Sequence, residues 1–111
     1  MADQTSAAHL YASLTQLAYA VTQMAISPKP PFSTADQVTL TNLGTNAANC
    51  AAAFRQKNPG PISQSALFAA QQNVNAALAM LNLINSAGSS SLSKSTVLNA
   101  VTAAIAAVTA L

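Results

Sequence analysis

Four stretches of the chain repeat their apolar residues at intervals of three and four, the spacing that returns a side chain to the same face of an α-helix. Leu10, Leu14, Leu17, Val21 and Met24 form the first stripe, widened by Tyr11, Ala18 and Ala25. Leu40, Leu43, Ala47, Cys50 and Phe54 form the second, and Leu67, Ala70, Val74, Ala77, Leu81 and Ile84 the third. The fourth runs through Leu98, Val101, Ile105 and Val108. Helices are therefore predicted over about residues 5–26, 34–57, 63–87 and 93–110.

The residues between the stripes agree with these limits. Ser27-Pro28-Lys29-Pro30-Pro31 ends the first helix, because proline has no amide hydrogen to donate and turns the preceding residue away from helical geometry. Thr34 caps the second, with Gln37 three residues on to reach back, and Asn58-Pro59-Gly60-Pro61 stops it. Ile62, Ser63 and Leu67 read as a staple and cap opening the third, and Leu92, Ser93 and Val97 repeat that pattern for the fourth. Gly88 closes the third helix ahead of Ser89-Ser90-Ser91. Gly44 lies inside the second helix at a cost of about 1 kcal/mol against alanine, which points to a close helix contact there. With three short connections, the expectation is an all-α, up-down-up-down four-helix bundle in a single domain, residues 1–111.

Charge changes the picture from an ordinary bundle to an unusual one. Asp3, Lys29, Asp36, Arg55, Lys57 and Lys94 are the formal charges, 5% of the chain, where a soluble domain carries about a quarter. Each lies at or near a predicted helix end. The stretches 4–28, 37–54, 58–93 and 95–111 carry none. In an up-down-up-down bundle Lys29, Asp36 and Lys94 collect at one end and Asp3, Arg55 and Lys57 at the other, which leaves the sides neutral.

Turning the core stripes inward defines the outer surface by subtraction. The first helix presents Ala12, Tyr19 and Ile26, flanked by Thr15, Thr22 and Gln23; the second presents Val38, Thr45 and Ala52 beside Asn42 and Asn49. Phe68, Ala76, Ala79 and Leu83 stand out on the third among Gln72, Asn75 and Asn82, and Ala103, Ala106, Ala107 and Ala110 on the fourth. Single exposed apolar residues are normal, but charge depletion over every helix matches the buried centre of a protein interface. The candidate interface is Ala12, Tyr19, Ile26, Thr45, Ala52, Phe68, Ala76, Leu83, Ala103, Ala107 and Leu111, the last as an uncapped apolar tail that docks into a neighbour.

Catalytic parts are scarce. There is no Glu, one His and one Cys, so a carboxylate di-metal bundle is excluded, and His9, Cys50, Asp3 and Asp36 are too few and too scattered for zinc. Cys50 reads as a core thiol and His9 as a polar residue near a helix start, not as nucleophile and base. Gly44, Gly60 and Gly88 form no phosphate loop. Four cations do not make a nucleic-acid surface. The expectation is a non-enzymatic protein without cofactor or metal, whose partners are itself or other subunits of a large particle such as a virion. The first residues do not read as a signal peptide, so synthesis in the cytoplasm is the expectation. The alternative is a small membrane-active pore former, disfavoured by Gln16, Gln23, Gln71, Gln72, Asn73, Asn75, Asn82 and Asn85 in its helices. A binder of ice or another ordered surface and a regulatory bundle that takes one partner helix rank below it.

Overall fold

A computed structural model describes residues 7–29, 32–57, 63–87 and 93–111. It contains helices α1 (Ala7–Ile26), α2 (Gln37–Lys57), α3 (Gln64–Ala87) and α4 (Lys94–Thr109), with a 3-10 turn, Thr34–Asp36, leading into α2. Each predicted helix is present within a few residues of its expected limits. Thr5, Asp3, Pro30, Pro31, the turns 58–62 and 88–92, and the staple residues Ile62 and Leu92 lie outside the described residues.

Serines cap the starts of α3 and α4. Ser63 Oγ accepts from Ala66 N at 3.3 Å, and Ser93 Oγ accepts from Thr96 N at 3.2 Å. At the entry to α2 the cap differs from expectation by one residue. Ser33, not Thr34, precedes the turn, and its N–H donates to Asp36 Oδ2 at 2.9 Å. The carboxylate takes the role expected of Gln37 because a 3-10 turn, Thr34–Asp36, precedes α2 and moves the whole cap one residue earlier. Gln37 is freed to donate through Nε2 to Ala25 O at 2.9 Å, satisfying a carbonyl in the last turn of α1.

The core follows the stripes closely in α1 and α3, where every stripe residue is buried. In α2, Leu40, Ala47 and Phe54 are buried while Leu43 and Cys50 are only half-buried, and Ala51 joins the core. In α4 the buried set is Val97, Val101, Ala104 and Val108, with Leu98 and Ile105 half-buried beside it. Phe32, in the connection before α2, is also buried.

The order of the helices around the bundle is set by contacts distant in sequence. α1 packs on α2 and α3 packs on α4 as antiparallel hairpins; the hairpins then stack with α1 on α3 and α2 on α4. Three contacts show that these stacked pairs run parallel. Gln71 near the start of α3 bonds to Ser13 near the start of α1, Lys94 at the start of α4 pairs with Asp36 at the entry to α2, and Cys50 near the end of α2 meets Thr109 at the end of α4. Consecutive helices α2 and α3 therefore sit across a diagonal. The rod is 42 Å long and 26 by 17 Å across.

Gly44 lies at the tightest point of the α1–α2 hairpin. It is buried, and a Cβ placed there would stand 2.5 Å from Thr22 Oγ1 and 3.4 Å from Thr22 N. The missing side chain lets the two backbones approach closely at this level.

A charge-free face on the first hairpin

Three contacts fix the height of each α1 residue against α2. Ala25 meets Gln37, Thr22 and Ala18 meet Gly44, and the guanidinium of Arg55 stands 5.5 Å from the centre of the Tyr11 ring. In this register Ile26 is level with Val38, Tyr19 with Thr45, and Ala12 with Ala52. All six are exposed. They belong to a second set of stripes, with the three-four spacing of the core but turned to solvent. On α1 it runs Ala8, Ala12, Thr15, Tyr19, Thr22, Ile26; on α2 it runs Val38, Thr41, Thr45, Ala48, Ala52.

The large apolar side chains are concentrated here. Val38, Tyr19 and Ile26 are 72%, 67% and 66% exposed, against 51% for Phe68 and 49% for Leu83, so the three most exposed share one face. The two threonines of α1, Thr15 and Thr22, make that face more apolar than their names suggest. Thr15 Oγ1 donates to Tyr11 O and Thr22 Oγ1 to Ala18 O, both at 2.9 Å. With their hydroxyls satisfied inside the helix, covering these residues breaks no bond that a partner must replace. Gln16 and Gln23 border the face on the α1 side and Asn42 and Asn49 on the α2 side, all exposed. An apolar centre with an uncharged polar margin is the anatomy of a protein interface.

The remaining expected interface residues divide. Ala76, Leu83 and Ala103 are exposed on the α3–α4 hairpin. Phe68 is exposed too, but on α3, apart from the first-hairpin face, with Gln72 and Asn75 one and two turns on. Ala107 and Leu111 depart from the expectation of full exposure. Both are half-buried against the protein's own core, and the Leu111 N–H donates to Val108 O at 3.1 Å. The tail folds back because the helix ends at Thr109, leaving an apolar side chain within reach of the α4 core stripe.

The charged groups sit at the ends. Lys94 Nζ lies 3.0 Å from Asp36 Oδ1 at one end, and Arg55 stands over Tyr11 at the other. The hydrogen bond from the Ser33 backbone, aided by the Lys94 ammonium, holds the Asp36 carboxyl below the usual carboxylate range. The side chains of Asp3 and Lys57 lie outside the described residues. Cys50 is half-buried, its Sγ 3.6 Å from Ile105 O and 3.3 Å from Thr109 Oγ1, beside a recess of about 100 Å³ lined by Ala53, Phe54, Val108 and Thr109. Nothing basic adjoins the thiol there, and His9 is exposed on the first turn of α1. Among the described residues no group of three His, Cys, Asp or Glu side chains could hold a metal ion, and no helix is long and apolar enough to cross a membrane.

Subtracting core stripes found the outward residues but did not show that those of α1 and α2 merge into one face. Thr41 and Ala48, which complete it, were missed; the signal that finds them is the repeat of three-four spacing on the outward side. No family model, curated protein or solved structure matches this chain.

Proposed function

We propose that the chain is a non-enzymatic structural subunit of a large ordered particle, most specifically a virion component such as part of a phage capsid, tail or appendage. The observation that carries this reading is the gathering of the three most exposed large apolar residues onto one charge-free face. A monomer that functions alone has a standing reason to place Lys or Glu at such positions, because charge keeps copies apart. A subunit packed along its sides has the opposite requirement, since a charge buried between copies must be desolvated. Ala and internally bonded Thr on the sides with ions at the tips suit lateral packing. A small, nearly uncharged rod suits a repeating shell or tube, which supports the virion assignment within the broader class.

Sedimentation velocity of the purified chain, followed by electron microscopy, tests the assembly reading. A species many times the monomer mass with regular morphology is the expected result; a monomer at high concentration rejects it. An antibody to the chain should label particles purified from its source. Label confined to free protein would remove the virion assignment and leave assembly standing.

A further inference from the structure

The first-hairpin face is graded in size along its length, and the gradient says which partner fits it. At the end carrying Asp36 and Lys94 the level pair is Ile26 and Val38; in the middle it is Tyr19 and Thr45; at the end carrying Arg55 it is Ala12 and Ala52. Large side chains stand at one end and small ones at the other. We propose that this face binds the same face of a second copy, with the two rods antiparallel about a two-fold axis perpendicular to their length at the level of Tyr19. The proposal rests on the reading of the chain as an assembly subunit and gives that subunit its primary contact.

The axis follows from shape. Turning one copy end for end lays Ile26 of each rod on Ala12 of the other and Val38 on Ala52, so large side chains meet small ones at both ends, and the two Tyr19 side chains meet beside the axis. A two-fold along the rods would instead set Ile26 on Val38 and leave alanine facing alanine, which wastes contact at one end and crowds the other. A self-complementary patch is what an isologous contact requires. The extent is adequate: the stripe from Ala8 to Ile26 runs about 27 Å at 1.5 Å per residue, and across a rod 17–26 Å wide it covers roughly 460–700 Å² on each copy, so the two together reach the roughly 1,000 Å² that a specific interface needs. The absence of charge across the face opposes nucleic acid or an anionic membrane as occupant, since both are recognised through cations.

Cysteine cross-linking separates the alternatives. In a Cys50→Ala background, Ile26→Cys and Ala12→Cys are made as separate proteins of distinguishable mass, mixed, and oxidised with glutathione disulfide; Tyr19→Cys and Val38→Cys are treated in parallel. The expected products are a mixed 26–12 dimer and a self-linked Tyr19→Cys dimer, since only residues whose Cβ atoms approach to about 4 Å join readily. A mixed 26–38 dimer in place of these overturns the antiparallel arrangement. Absence of cross-links in a protein that sediments as a particle overturns the proposed contact but spares the assembly reading, and absence in a protein that sediments as a monomer removes both. Circular dichroism of each variant confirms that these exposed substitutions leave the helices intact.

Discussion

Gly44 is where the spacing of the first hairpin is decided. A Cβ there gains helix propensity of about 1 kcal/mol but strikes Thr22 Oγ1, held in place by its bond to Ala18 O and by the stiffness of a β-branched side chain. Overpacking costs about 1–3 kcal/mol, so Gly44→Ala alone should destabilise the fold by about 1 kcal/mol. Thr22→Ala removes the obstacle, and what then remains, the Ala18 carbonyl at 3.6 Å and the backbone N of residue 22 at 3.4 Å, is ordinary contact. The double variant should be at least as stable as Thr22→Ala, with a coupling of about 1 kcal/mol or more by urea unfolding. Additive effects would show that the backbones are not held at this distance. Asp36 makes a prediction about pH. Its folded carboxyl titrates below its unfolded value, so its contribution is present above the unfolded pKa and is lost as pH falls through the folded one. The melting temperature should decline in acid more steeply for the wild type than for Asp36→Asn, and the two curves should converge at the acid end.

At the scale of elements, the parallel stacking of α1 on α3 turns on a buried polar pair. Gln71 Nε2 donates to Ser13 Oγ and to Asn75 Oδ1, each at 2.9 Å, while Gln71 Oε1 is buried with no hydrogen-bond partner among the described residues. A buried amide oxygen without a donor costs about 1–3 kcal/mol, so this pair specifies position at the expense of stability. Ser13→Ala should destabilise by about 1–2 kcal/mol by stranding more of the amide, whereas Ser13→Ala with Gln71→Met should match or exceed the wild type. Denaturant midpoints check both, and a double variant less stable than the wild type would show the pair to be net stabilising. Such pairs also explain what the sequence hid. Helix existence and the inward faces of α1 and α3 were legible because spacing alone encodes them. The inward face of α4 was misread by a fraction of a turn, since Leu98 and Ile105 outrank Ala104 in apolarity although Ala104 takes the buried position. The diagonal placement of α2 and α3 was not legible, because Ser13 with Gln71 and Asp36 with Lys94 are recognisable as partners only once folded. For the same reason subtraction named Tyr19, Ile26 and Thr45 as outward without showing that they adjoin.

At the scale of the whole molecule, a first-hairpin face without charge among the described residues makes association respond to salt in a particular way. Screening weakens contacts between charges, and the proposed contact has none. Sedimentation from low to high ionic strength should therefore show an assembly of constant or slightly greater size; dissociation as salt rises would place the ionic tips in the contact instead. Substitution on the two hairpins then distinguishes a pair from a lattice. An isologous contact closes on itself, so one face builds a dimer and a particle needs a second contact elsewhere on the rod. Tyr19→Lys puts an ammonium beside the proposed axis, where it must be desolvated against its own copy, and should abolish the pair. Its unfolding free energy, measured as a monomer, should stay within about 0.5 kcal/mol of wild-type monomer because the position is exposed. Ala103→Lys, exposed on the other hairpin, should leave the pair intact and halt growth there if the α3–α4 side supplies the second contact. A particle that survives Ala103→Lys assigns its second contact elsewhere, and a Tyr19→Lys protein that still forms particles makes the first-hairpin face dispensable.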